Sequence, residues 1–325
     1  MLLNFIAMAV GLIVLVIAAD KFVVGAVTIA RNFGISPLLI GLTVVGLGTS
    51  APEILVSGIA SWQGNPGLAI GNAIGSNIAN IGLILGCTAV ISPLMFKSAL
   101  LKRELPVLMG VSLICYLLSF DGLGMIDSLI MLTMLVLFLI WMIALAKQEQ
   151  INNSIIDPLE KEVLNEMPEA IPTKKAYLFF ALGLIGLLVS SRVIVWAAVN
   201  IAVSFGVSDL LIGLTIVAFG TSLPELAASI SSVLKKEDDL AVGNVIGSNL
   251  YNLLAVYSLP GLLAPGSVAE SVIYRDFPVM LVFTGVLFVL GFGLRKAGQI
   301  NRSEGLALLL AFGSYQYFII QSAVA

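Results

Sequence analysis

Ten apolar runs divide the 325-residue chain, at about 2–33, 38–60, 68–92, 104–120, 127–146, 177–205, 210–233, 240–263, 277–294 and 304–323. A helix crosses a bilayer with about 20 apolar residues. Hydrocarbon admits that helix because its backbone polar groups are satisfied within the segment. Ten crossings use most of the chain and leave no room for a separate soluble domain. Only 11% of the residues are charged, against about 25% in ordinary soluble domains. A cytosolic enzyme is therefore excluded. The net charge of −3 offers nucleic acid no polycation. Cys87 and Cys115 both lie inside apolar runs, where they read as buried small side chains rather than a disulfide framework. Histidine is absent, which removes imidazole metal sites, Ser–His triads and histidine proton relays.

The expected fold is an all-α polytopic membrane protein. Its first run, Leu2 to Ala19, lacks the charged start of a signal peptide and resumes after Asp20-Lys21. It reads as a retained helix, longer than a bilayer requires and tilted. The one long polar stretch, Lys147 to Lys175, carries Glu149, Asp157, Glu160, Glu162, Glu166 and Glu169 with three prolines. It reads as a solvated linker at 147–176, between a first unit at 1–146 and a second at 177–325. Alternate loops hold 14 of the 16 Lys and Arg residues. The positive-inside rule then puts the linker in the cytoplasm and both termini outside.

A duplication organises the chain. Gly41–Glu53 matches Gly213–Glu225, and Gly71–Asn80 matches Gly243–Asn252, both at one and the same offset in the numbering. The first unit has five crossings, an odd number, so the second begins on the opposite side. The arrangement expected is ten transmembrane helices as two inverted five-helix repeats, with a binding site near the bilayer midplane at their interface.

The repeated blocks carry the chemistry. Glu53 and Glu225 lie deep in apolar runs with no Lys or Arg nearby in sequence. A carboxylate at that depth costs about 2.5–3.5 kcal/mol even on lenient scales, and a mobile cation or a proton is its natural partner. Pro52 and Pro224 each remove a backbone donor and free a carbonyl one turn back. Those carbonyls and the hydroxyls of Thr49, Ser50, Thr221 and Ser222 are hard oxygen donors. Thr49 and Glu53 are spaced i, i+4, as are Thr221 and Glu225, Ser76 and Asn80, and Ser248 and Asn252, which puts each pair on one face of a regular helix. The donor set is all oxygen, which suits hard cations; Ca²⁺ takes about 6–8 oxygens. Two carboxylates could neutralise one divalent ion or share several monovalent ions. The pairs Gly71/Gly75, Gly82/Gly86 and Gly243/Gly247 read as helix-packing positions.

The G-T-S-x-P-E and G-N-x-I-G-S-N blocks, present twice at one spacing, resemble the two α-repeats of the sodium/calcium exchanger family. The resemblance covers essentially the whole chain and is to the compact form found in bacterial inner membranes. It implies a Na⁺/Ca²⁺ antiporter, not an enzyme, working by alternating access without a cofactor. Its partners are then the two ions and the lipid bilayer, with no nucleic acid and a single chain as the transport unit. It implies a core of segments two, three, seven and eight, with segments one and six as long gating helices. By motif position it makes Glu53 and Glu225 the holders of Ca²⁺ and alternately Na⁺. Thr49, Ser50, Ser76, Asn80, Thr221, Ser222, Ser248 and Asn252 become ion ligands, and backbone oxygens near Gly46 and Ala218 contribute. Many relatives carry Asp where this chain has Asn252, and potassium-dependent relatives use that acid. Asn keeps an amide oxygen but no charge, so the site stands at about −2. Three Na⁺ against one Ca²⁺, the ratio the family implies, would move net charge.

A proton/calcium exchanger is the alternative transporter, though such relatives show G-N-x-x-E in both repeats. An intramembrane enzyme or a non-transporting scaffold is the alternative class. Such an enzyme needs an activated nucleophile or paired aspartates, and Asp20, Asp121, Asp127 and Asp276 fall at segment ends or breaks. The topology has a direct check. Reporter fusions at Ala325 are expected to report the outer face and fusions in the linker the cytoplasm; a cytoplasmic Ala325 would overturn the orientation.

Overall fold

The computed structural model describes residues 2–96, 101–153, 172–204, 218–292 and 298–324. The first half runs α1 (Leu2–Phe33), α2 (Pro37–Ile40), α3 (Gly46–Thr49), α4 (Ala51–Trp62), α5 (Pro66–Ala79), α6 (Gly86–Ile91), α7 (Leu101–Leu118) and α8 (Met125–Asn153). The second runs α9 (Thr173–Ser204), α10 (Ala218–Thr221), α11 (Leu223–Leu234), α12 (Asp238–Tyr251), α13 (Ser258–Leu263), α14 (Phe277–Phe292) and α15 (Arg302–Val324). Among the described residues five helical stretches are long and apolar enough to cross a membrane, and the bent pair formed by Gly41–Thr49 and Ala51–Trp62 makes a sixth. Helices α7 and α15 stand where the fourth and tenth apolar runs predict them. Residues 210–217, which open the seventh run, lie outside the described residues, as does most of the expected linker. Helix α8 extends past the apolar run to Asn153, since a formed helix propagates without needing apolar side chains.

Outer helices turn Leu, Ile and Val outward, as Leu3, Ile126, Leu137 and Leu310 show, each well over half exposed. In water such faces would be unstable; against lipid they cost nothing. The stretch Pro66–Ile91 is largely buried, and α12 is buried from Leu240 to Tyr251. These two stretches form the centre.

The two longest helices, α1 and α9, cross antiparallel at close range. A Cβ at Gly25 would lie 2.5 Å from the Phe180 backbone nitrogen, and one at Gly183 would lie 2.5 Å from that of Phe22. Only glycine permits backbones this near. Phe22 and Phe180 then pack across the crossing, ring centroids 4.9 Å apart and planes tilted by 31°. Gly11 and Gly183 are separated by the same offset as the two repeated blocks, so the internal repeat extends to these helices.

Turns repeat as well. Gly64 ends α4 at φ 76°, and Lys236, its counterpart in the second half, ends α11 at φ 62°. The bonds Asn65 N to Ala60 O and Glu237 N to Ser232 O are 2.9 and 3.0 Å, so both ends close the same way. Leu94 pairs antiparallel with Ile300, and Gly266, the counterpart of Leu94, pairs with Leu123.

Glycine packing in the centre follows the same logic. A Cβ at Gly247 would meet the Leu42 carbonyl oxygen at 2.5 Å, and one at Gly41 would meet that of Leu240 at 2.8 Å. Gly82 and Gly86 are closed in by Phe283 and Leu309. Gly71 and Gly75 meet no described atom within 4 Å. Gly183→Ala is expected to destabilise the protein in detergent by about 1–3 kcal/mol through overpacking. Gly110→Ala, with nothing within 4 Å of the added carbon, is expected to be neutral or to stabilise by about 0.5–1 kcal/mol. Equal unfolding midpoints for the two variants would refute the close crossing.

Candidate ion-binding site

The Gly41–Glu53 block and the described part of the Gly213–Glu225 block each fold into a broken helix. The first breaks at Ser50, φ −80° and ψ 4°, between α3 and α4, with a bend of 50°. The second breaks at Ser222, φ −88° and ψ 5°, between α10 and α11. Pro52 and Pro224 sit just inside the new helices, where proline is tolerated because the first N–H groups lack partners anyway. Glu53 and Glu225 fall in the first turns of α4 and α11. The carbonyl that Pro224 frees, Gly220 O, accepts a hydrogen bond from Ser191 Oγ of α9 at 2.7 Å.

The break changes the expected pairing. Thr49 ends one helix and Glu53 lies in the next, so the i, i+4 spacing does not put them on one continuous face. The hydroxyls instead reach the carboxylate of the other half. Ser50 Oγ donates to Glu225 Oε1 at 3.3 Å, and Ser222 Oγ to Glu53 Oε1 at 3.4 Å. Thr49 also approaches Glu225, and Thr221 approaches Glu53.

The second pair of blocks supplies the amides. Helix α5 gives way at Asn80 to a π-helical turn, Asn80–Leu85, and α12 gives way at Asn252 to another, Asn252–Val256. Such turns insert a residue and often stand at functional sites. The turn at Asn80 packs on α11, which carries Glu225; the turn at Asn252 packs on α4, which carries Glu53. Asn80 Nδ2 donates to Asn249 Oδ1 at 2.9 Å. Ser248 Oγ donates to Gly46 O at 3.5 Å.

Thr49, Ser50, Glu53, Ser76, Asn80, Thr221, Ser222, Glu225, Ser248 and Asn252 are all between 0% and 6% exposed. Gly46 is buried within α3, and Ala218 opens α10. No described Lys or Arg pairs with either glutamate; the described ion pairs lie elsewhere. Glu53 Oε2, Glu225 Oε2, Ser76 Oγ, Asn80 Oδ1 and Asn252 Oδ1 are buried without a hydrogen-bond partner. A buried polar atom left unpaired costs about 1–3 kcal/mol, and more when charged. Oxygens of this kind, drawn from both halves, suit a desolvated hard cation. The described residues hold no cluster of three His, Cys, Asp or Glu side chains, and the two carboxylates are met by serine hydroxyls.

Sequence reasoning passed over several buried polar residues. Asn72 and Asn244 hydrogen-bond the turns that carry the glutamates, together with Ser57 and Ser229. Asn77 and Asn249 are also buried at the centre. The signal was present, for all six recur at the offset of the repeat.

The family model described as sodium/calcium exchanger protein matches residues 3–144 and 175–321. The chain belongs to this family. CaxA of Alkalimonas amylolytica, named as a candidate antiporter, is 48% identical over 323 residues, covering 99% of this chain and all of its own. Inner membrane protein YrbG of Escherichia coli is 41% identical, covering 96% of this chain and 95% of its own. A solved structure of the sodium-calcium exchanger NCX_Mj superposes with a TM-score of 0.82 at 33% identity, covering 96% of this chain and 97% of that one. The chain is a multi-pass membrane protein of an exchanger family.

The electrostatics of the site predict an unusual sign. Two carboxylates buried without a basic partner oppose folding through desolvation and mutual repulsion. In ion-free detergent solution, Glu53→Gln and Glu225→Gln are each expected to raise the thermal unfolding midpoint by several degrees. A further rise with Ca²⁺ is expected of the unaltered protein and is expected to be lost in both variants. A lowered midpoint with Ca²⁺ protection intact would refute this account.

Proposed function

We propose that the chain is a secondary antiporter that exchanges Na⁺ for Ca²⁺ across a bacterial inner membrane by alternating access. The observation that carries this reading is the reciprocal placement of Glu53 and Glu225, each met by a serine of the other half. In this reading Glu53 and Glu225 hold the ions. Thr49, Ser50, Ser76, Asn80, Thr221, Ser222, Ser248 and Asn252 supply side-chain oxygens, and Gly46 and Ala218 supply backbone oxygens.

The charge arithmetic follows from the chemistry. Two carboxylates neutralise one Ca²⁺, whereas three Na⁺ leave the loaded site at about +1. Exchange in that ratio is electrogenic. Asn252 adds an amide oxygen and no charge, which supports an exchanger that needs no potassium. The proton/calcium alternative is less well supported, because hydroxyl and amide oxygens crowd the glutamates and suit a coordinated cation.

Alternating access requires the site to face each side in turn. Two inverted five-crossing units, 1–146 and 177–325, joined by a cytoplasmic linker at 147–176, provide two pseudo-equivalent gates. The pair α1 and α9, held together by its own close glycine contacts, is suited to move as a unit over the centre. The centre would stay fixed and keep the oxygens in place.

The test is ion flux in sealed vesicles. An outward Na⁺ gradient is expected to drive Ca²⁺ uptake, with K⁺ and H⁺ gradients clamped to zero. A membrane potential is expected to alter the rate. Glu225→Gln should abolish Na⁺-driven uptake while still inserting. Uptake driven equally by a pH gradient without Na⁺ would transfer the assignment to the proton/calcium class.

A further inference from the structure

Asn72 and Asn244 occupy the second position of each G-N-x-I-G-S-N block and are 8% and 1% exposed. Each directs its amide nitrogen into one turn of the neighbouring helix. Asn72 Nδ2 donates to Glu53 O at 3.3 Å and to Ser57 Oγ at 3.0 Å. Asn244 Nδ2 donates to Glu225 O at 3.4 Å and to Ser229 Oγ at 3.2 Å. Both serines are fully buried. An amide nitrogen has two hydrogens, so both are used, and the group cannot flip without losing two bonds. Its oxygen is thereby aimed in a fixed direction.

For Asn244 that direction is Thr49 of the other half, with Oγ1 to Oδ1 at 3.1 Å. Thr49 has one hydroxyl hydrogen and, besides the Glu225 carboxylate that it approaches, three acceptors within reach. The other two are Val45 O at 3.1 Å and Gly46 O at 3.4 Å. A hydroxyl that coordinates a cation must turn a lone pair to it and its hydrogen away. Asn244 Oδ1 gives that hydrogen a destination outside the site. It also leaves Gly46 O without a claim from Thr49. By the repeat, Asn72 stands to Glu53 as Asn244 stands to Glu225.

We propose that Asn72 and Asn244 are positioning residues that set the direction of the carboxylate turns and, through Asn244, the proton of Thr49. They touch no ion themselves. The proposal rests on the ion site described under the proposed function. Residues that orient metal ligands typically affect metal affinity by about 10–100-fold when removed.

Equilibrium Ca²⁺ binding to purified protein in detergent, measured by calorimetry, tests this. Asn244→Ala is expected to raise the half-saturating Ca²⁺ concentration by about tenfold or more. Thr49→Val removes the partner of one of the Asn244 contacts, so the double variant should bind more weakly than either single one but by less than the sum of their losses. Fully additive losses would overturn the proposal, since a general packing defect has no reason to converge on Thr49. Should Asn244→Ala fail to insert, Ser229→Ala removes only one acceptor of the clamp and is expected to weaken binding by about threefold. Half-saturation within twofold of the unaltered protein in the variants that fold would also overturn it. Glu225→Gln, measured alongside, separates the two levels. Retained Ca²⁺ binding there would remove the site itself, whereas lost binding there with unchanged Asn244→Ala would remove only the positioning role.

Discussion

Two carboxylates lie buried at the centre of this membrane protein with no described lysine or arginine beside them, and much of the architecture answers to that constraint. A soluble protein would hydrate such groups or pair them with a basic side chain. Here hydroxyls, amides and backbone carbonyls surround them. None of these groups can cancel charge, so the neutralising charge has to come from a proton or a mobile cation, and the proposed exchange assigns it to the transported ions. In the proposed exchange, the same lack of a fixed partner that burdens folding lets the ion leave again.

The breaks in the helices follow from this need. A continuous helix hides its carbonyls and turns its hydroxyls back on its own backbone. Breaking α3 from α4 at Ser50, and α10 from α11 at Ser222, starts new helices whose first turns carry the glutamates. The π-helical turns at Asn80 and Asn252 do the same for the amides. Irregular backbone at membrane depth is tolerated only where protein encloses it, and Ser50, Ser222, Asn80 and Asn252, which stand at these breaks, are all buried.

The halves are alike but not identical, and the differences are local. Ser191 takes the carbonyl that Pro224 frees, while the matching position in the first half is Ala19, which has no side-chain donor. Lys236 holds a left-handed conformation that Gly64 holds in the first half. For a non-glycine residue this conformation costs roughly 1–2 kcal/mol. On the same stretch, Arg31 reaches Glu237 at 2.9 Å and Lys235 pairs with Asp20. Their counterparts, Val203 with Asn65 and Gln63 with Arg192, cannot form the same ion pairs. Duplicated halves that diverge in this way need not have equal energies in their two orientations.

The helical class, the membrane setting, the repeat and the identity of the two glutamates were legible in the residues alone. Each is a local or periodic property: apolar runs long enough to cross a bilayer, a fixed offset between matching blocks, a carboxylate where hydrocarbon should be. The prolines announced that the helices break. The sequence did not reveal which hydroxyl meets which carboxylate. The i, i+4 spacing pointed to Thr49 with Glu53, but the bend at Ser50 separates them, and the partners of Glu225 come from the far half of the chain. Nor did it single out Asn72 and Asn244, because an asparagine inside a repeated block looks the same whether it faces an ion or a neighbouring turn. Hydrogen-bond direction depends on how two distant helices are rotated against each other. That rotation is decided by glycine contacts such as Gly247 on Leu42, which exist only once the halves have packed.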